Sequence, residues 1–344
     1  MIKKAGVMLV LCFVLLAGCS GNKQETIIEK PKETNEEAGD AKPVNTYPLT
    51  GVGTDEKVNH RAVSVMINNH PKARPQSGIS KADIVYEVLA ETNITRFLAI
   101  YQSEFPENIG PIRRARDYYV KLAKGYESLY IFHGWSPDAK KLIQSDYIGH
   151  LNGLTYDGTL FKRSSNRKAP HHSYTTCANI MKGAEEEGYK MEEYTPAYTF
   201  FDEDETGLIS GEEYSVATIS YDSADYDVTY KYDAIEEKYT RYTAGVKTED
   251  DETKDPVLLD NILIIEAVHE VIDNKGRRKI DLNTGGDAYL LQKGKRVEIK
   301  WENKDDRIVP VSGGTEVKLV QGKTWINIIP DQPGLNKSVK LSSN

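Results

Sequence analysis

The longest uninterrupted apolar run in this chain, Gly6 to Ala17, lies near its start, just after Lys3 and Lys4. It constrains the fold more than any other feature, because it sets the compartment in which everything after it folds. Two cations, a short apolar segment and then small residues form the layout of a secretory signal peptide. As a helix, residues 6–17 rise only about 18 Å against a hydrocarbon core of roughly 30 Å, too short for a permanent span. No later stretch approaches spanning length, so the chain after Cys19 is expected to fold in water.

Leu16-Ala17-Gly18-Cys19 resembles the lipobox of bacterial lipoproteins, in which the cysteine is diacylated and becomes the mature N-terminus. Residues 1–18 are therefore expected to be a lipoprotein signal peptide. Lipid on Cys19 would hold the chain on the outer face of the cytoplasmic membrane, since two acyl chains give stable anchoring where one does not. The other cysteines are Cys12, lost with the leader, and Cys177. One remaining thiol excludes an internal disulfide framework, so packing must supply the stability. Removal of the leader leaves 326 of the 344 residues, enough for two domains with their own cores.

The net charge of -8 conceals an asymmetry. Residues 110–172 carry 11 Lys and Arg against 5 Asp and Glu, whereas residues 173–260 carry 7 against 23. A nucleic-acid binder wants a basic domain, and this split argues against one. It favours a local basic site in an otherwise acidic protein.

Residues 19–45 are rich in Lys, Glu, Thr and Asn with no aromatic before Tyr47, and they read as a disordered tether. The fold class expected beyond it is α+β, with a mixed α/β domain over 46–200 followed by a β-rich domain over 201–335. In the first, residues 84–88 and 94–101 flank Thr92-Asn93 as a hairpin. Residues 111–124 have an entry proline and helical apolar spacing, and residues 129–132 form a buried strand. Ser136-Pro137-Asp138 reads as a helix cap, and residues 173–188 as a further helix ending at Gly188. In the second, short Tyr- and β-branched-rich runs recur, with a hairpin turning at Lys293-Gly294 and a last strand over 323–330.

The segment Gly110-Pro111-Ile112-Arg113-Arg114-Ala115-Arg116 carries the most informative conflict. Arginines in the first turns of a helix oppose its dipole, and breaches of local rules concentrate at functional sites. Free N–H groups and guanidinium forks together make an anion site, with Arg113 and Arg116 on one helical face and Arg114 elsewhere. Two loops would complete it if they converge: His133-Gly134-Trp135-Ser136, leaving a strand, and residues 163–172, which bring Arg163, Arg167, His171 and His172. Arg96, Glu87 and Glu91 would either join the site or form an internal ion pair.

Other chemistries fit less well. Gly134-Trp135-Ser136-Pro137 lacks the closing glycine of a serine-hydrolase elbow, and Pro137 has no N–H for an oxyanion hole. Cys177 near His171 and His172 is a weak nucleophile pattern. Asp202 to Glu213 fits the spacing of an EF-hand loop, with Asp202, Asp204, Thr206 and Glu213 as calcium ligands, although the flanking residues read as strand rather than helix. No other cofactor is expected.

Ile94-Thr95-Arg96, the Gly110–Arg116 segment, His133–Ser136, Ala169-Pro170-His171-His172-Ser173-Tyr174-Thr175 and Gly322-Lys323-Thr324-Trp325-Ile326 together resemble the YerB-like lipoproteins of Gram-positive bacteria. The resemblance runs over roughly residues 47–330. It implies an N-terminal and a C-terminal domain of unknown function on a lipid anchor, and no reaction. In that family the second histidine position usually holds Asn, so His172 departs from the pattern.

Three functions remain open on these residues. One is a binding protein holding an anionic cell-envelope group through Arg96, Arg113, Arg116, His133, Arg163, Arg167 and His171. Another is an envelope enzyme acting on a phosphoryl or glycosyl centre, with His133 or His171 as general acid or base. The third is an interaction lipoprotein whose Tyr-rich β-domain contacts a protein partner.

Overall fold

The expected hairpin forms, and it sits at the centre of the molecule. Strands Ile84–Glu91 and Ile94–Tyr101 pair antiparallel across Thr92, whose φ of 50° takes the left-handed region the tight turn requires. Almost every residue of both strands is buried. The near-continuous apolar run Ile84-Val85-Tyr86-Glu87-Val88-Leu89-Ala90 is what a strand covered on both faces needs, and a strand with one wet face would alternate. The computed structural model describes residues 43–343; the leader, Cys19 and nearly all of the expected tether lie outside them.

One mixed sheet of twelve strands runs through both halves of the sequence. Val63–Asn68 flanks Ile94–Tyr101, followed by the parallel strands Leu129–Phe132 and His150–Asn152. On the other side Ile84–Glu91 lies parallel to Thr324–Pro330, with Val85 opposite Trp325, and Thr324–Pro330 lies parallel to Asn261–Ala267. Gly286–Gln292 and Lys295–Lys304 extend the sheet as the hairpin expected at Lys293-Gly294, with both turn residues at positive φ. The sheet therefore joins segments on both sides of the expected division near residue 200.

The Tyr-rich strands form a second sheet of six, including Val216–Ile219, Val228–Asp233 and Lys238–Thr243. Burial alternates along Lys238–Thr243, the period-2 sign of one covered face. Tyr221, Tyr226, Tyr230 and Tyr239 are all buried, in one cluster with Val85, Phe97 and Trp325 of the large sheet. These four tyrosines are core residues, whereas Tyr214, Tyr232 and Tyr242 stay partly exposed.

Helices are few and short. Asp117–Lys124 buries Tyr118, Tyr119, Val120, Leu122 and Ala123, and the Tyr119 hydroxyl donates to the Val88 and Arg96 carbonyls at 2.9 Å. Pro137–Gln144 is capped as expected by Ser136, whose Oγ accepts from the Ala139 N–H. The helix expected over 173–188 is divided: Ser173–Thr176 is a strand paired with Asn108–Ile109, and the helix runs only over Cys177–Glu186, capped by Thr176.

Candidate functional site

The arginine segment is extended rather than helical. The helix expected from Pro111 starts only at Asp117, with Arg116 as its cap residue. Long-range pairing accounts for the difference. The Arg113 N–H donates to the Met66 carbonyl at 2.9 Å, Ile112 bridges Ile67, and Ala115 bridges Trp135. An extended chain alternates sides, so Arg114 and Arg116 line one cleft with Glu91, while Arg113 turns to the Pro170 carbonyl. The expected pairing of Arg113 with Arg116 on one face is corrected.

Arg113 has no carboxylate partner among the described residues, and its buried Nε has no hydrogen-bond partner. Its one side-chain bond is long, 3.4 Å to the Pro170 carbonyl. Burial, with Arg96 and Arg114 nearby, pushes its pKa down to about 10. Next to it lies His171, whose ring stacks on His70 with centroids 4.6 Å apart.

The tautomer of His171 follows from its neighbours. The Asn68 Oδ1 accepts from the His70 N–H at 3.1 Å, which orients the amide so that its Nδ2 donates to the His171 Nδ1 at 2.7 Å. The His171 proton is thus on Nε2. Burial first, then the competing His70 ring and the cations Arg113, Lys72 and Arg167, pull the pKa of His171 down to about 4, so the ring is neutral at pH 7. His70 is lowered as well, mainly by burial, and its Nδ1 accepts from the Lys72 N–H at 3.1 Å.

His133 is fixed by the same logic. A guanidinium only donates, so the contact of Arg163 Nη2 with the His133 Nε2 at 3.3 Å makes that nitrogen an acceptor. The His133 Nδ1–H then donates to the Ser173 Oγ at 2.8 Å. The other arm of Arg163 reaches the His172 Nε2 at 3.3 Å, and its Nη2 and Nε hold Asp157 at 2.7 and 2.9 Å. Burial and Arg163 lower the pKa of His133.

The seven expected site residues therefore divide. Arg113, His133, Arg163 and His171 belong to one electropositive region. Arg96 and Arg116 are instead tied to Glu91, with Arg96 Nη2 at 2.6 Å from one oxygen and Arg116 on the other. Arg167 is occupied by the Lys72 and Pro75 carbonyls and by Asp251 at 3.0 Å, and so fastens the 247–255 acidic loop to the 72–75 turn.

The proposed calcium ligands do not gather. Asp202 caps the turn Glu203–Leu208, Glu205 pairs with Lys318, and Glu213 lies on a short strand paired with Lys295–Lys304. No EF-hand helices flank the loop, and among the described residues no group of three or more His, Cys, Asp or Glu is placed to hold a metal. The Cys177 thiol is pushed up by burial, the reverse of what a nucleophile needs.

Two basic residues escaped the sequence reading. Arg241 and Arg74 line a cleft of about 430 Å³ with Asn69, Val246 and Thr248. Arg241 falls on the covered face of Lys238–Thr243, in step with Tyr239 and Thr243; an arginine at such a position was the available signal.

Comparison with known proteins places this fold. The profile described as the DUF3048 N-terminal domain of proteins of unknown function matches residues 49–190, and its C-terminal counterpart matches 217–326. A Bacillus subtilis (strain 168) protein named YerB, which carries a provisional lipoprotein designation, is 45% identical over 332 residues, 96% of each chain. The crystal structure of the YerB protein from Bacillus subtilis superposes with a TM-score of 0.80 at 47% identity, covering 87% of this chain and 99% of that one. The chain belongs to the YerB-like family, built from two domains of unknown function. Among the described residues no helix is long and apolar enough to cross a membrane.

Proposed function

We propose that this chain is a lipoprotein anchored through Cys19 on the outer face of the cytoplasmic membrane, and that it binds an anionic group of the cell envelope at Arg113. The observation that carries this reading is the pairing of an uncompensated guanidinium with a neutral imidazole donor. Arg113 has no carboxylate partner among the described residues, and the Asn68 amide occupies the Nδ1 of the neighbouring His171 and leaves its Nε2–H as the donor. A guanidinium and an N–H donor on a half-buried surface suit a carboxylate or phosphate oxygen.

The same geometry supports binding over acid–base chemistry at these histidines. A general base needs a free lone pair near the reacting proton. The Nδ1 of His171 is taken by Asn68, and the Nε2 of His133 by Arg163. The YerB relative's lipoprotein designation supports the anchor.

A thermal-shift screen of the mature chain against muropeptides, teichoic-acid fragments and acidic headgroups tests the binding. Ligand at about 100 times its dissociation constant adds roughly 2.7 kcal/mol, a shift of a few degrees. The expected hit disappears in Arg113→Ala. Shifts that survive that substitution would remove Arg113 from the site.

A further inference from the structure

The other side of the arginine segment faces a separate cleft of about 300 Å³, lined by Glu91, Arg114, Arg116, Trp135, Lys275 and Arg277. Glu91 is its one carboxylate, and both oxygens are taken, one by Arg96 and the other by Arg116. Arg277 is matched by Asp273. Arg114 and Lys275 have no ion-pair partner among the described residues. Glu91 thus answers one of the two charges on Arg96 and Arg116, and Arg114 and Lys275 add two more that nothing answers. The Arg116 side chain is only 6% exposed, yet its buried Nε has no hydrogen-bond partner.

We infer that this cleft binds a phosphorylated sugar. A phosphomonoester carries about two negative charges at neutral pH and offers three acceptor oxygens, whereas a single carboxylate would leave most of the local charge unmatched. Ser136 and Pro137, which begin helix Pro137–Gln144, also line the cleft, and the positive end of that helix adds to the field. Trp135 supplies an apolar wall of the kind a sugar ring covers when its phosphate meets Arg114 and Lys275. Lys275 and Arg277 come from the hairpin joining His269–Val271 to Arg278–Ile280, and the other lining residues lie at positions 91–137, so the site needs both halves of the chain.

Calorimetric titration of the mature chain in neutral detergent tests this, with a hexose phosphate, inorganic phosphate, the unphosphorylated hexose and a short-chain phosphatidic acid as probes. The expected result is that hexose phosphate binds more tightly than inorganic phosphate and that the hexose gives no heat. Arg114→Ala and Lys275→Ala, both at exposed positions, should each weaken binding about tenfold or more. Arg113→Ala should leave it unchanged, which separates this cleft from the Arg113 site. Absence of hexose phosphate binding, or binding unaffected by the Arg114 and Lys275 substitutions, overturns the inference. Equal binding of inorganic phosphate overturns the sugar, and binding of phosphatidic acid alone assigns the phosphate to a lipid instead.

Discussion

Glu87 and Arg241, 154 positions apart, form an ion pair of 2.7 Å in which neither side chain is exposed to solvent. It fastens the six-stranded sheet to the central hairpin. The pair is embedded in further polar contacts: Thr95 donates to the Glu87 Oε1 at 2.9 Å, and the Arg241 Nη1 donates to the Thr248 hydroxyl at 2.8 Å. The guanidinium also lies over the Trp325 ring, 4.4 Å from its centroid.

Breaking this pair leaves a charge buried with nothing to balance it. Arg241→Met is expected to cost about 3–5 kcal/mol, while the double change Glu87→Leu with Arg241→Met recovers most of that. Urea unfolding of the two single variants and the double variant measures the difference. Additive losses would mean that the two charges are not coupled.

Glu91 has a comparable role at the surface cleft. It is the counter-ion of two arginines whose side chains are 3% and 6% exposed. Glu91→Gln should destabilise by about 3 kcal/mol, more than a solvent-facing ion pair such as Lys141–Asp138, where Asp138→Asn is expected to cost under about 1 kcal/mol. Thermal denaturation of both variants under one condition makes the comparison.

Stability should fall on mild acidification. His171 and His269 both have folded-state pKa values lowered to about 4 from 6.5, chiefly by burial. As pH drops below about 6.5 the unfolded chain takes up these protons first, so the contribution of each neutral ring is complete above that pH and is lost as pH falls toward 4. Melting temperature is expected to decline between pH 6.5 and 4.5, and His171→Gln together with His269→Gln should flatten the decline. An unchanged slope in the double variant would remove His171 and His269 as its source and leave it to the carboxylates and the other lowered histidines, His70 and His133.

Much of the fold could be read from local residues. Asn93 and Gly294 mark their turns because Asn and Gly are turn residues, although in the first turn it is Thr92 that takes the left-handed conformation, and Ser136 marks a cap because its hydroxyl reaches the Ala139 N–H. The arginine segment misled because Pro111 and the spacing of Ile112, Ala115 and Tyr119 satisfy helix rules. What overrides them is pairing to Met66 and Trp135, which no local window contains. The Tyr-rich strands were recognisable as strands, but which face they bury depends on Trp325 and Phe97 in distant strands. The basic region was legible as charge, and its division between two sides of one extended segment was not.

The central claim is that Arg113 and a neutral His171 hold an anion together. Calorimetric titration of the screening hit at pH 8.0 and pH 5.5 tests it most directly, with Arg113→Ala and His171→Ala alongside. Because the His171 pKa is pulled down to about 4, the affinity for a ligand whose own charge is constant between the two pH values is expected to vary by less than about twofold. Arg113→Ala should weaken binding by roughly tenfold or more, and His171→Ala by several-fold. Affinity that rises steeply toward pH 5.5, or binding indifferent to Arg113→Ala, would contradict the account.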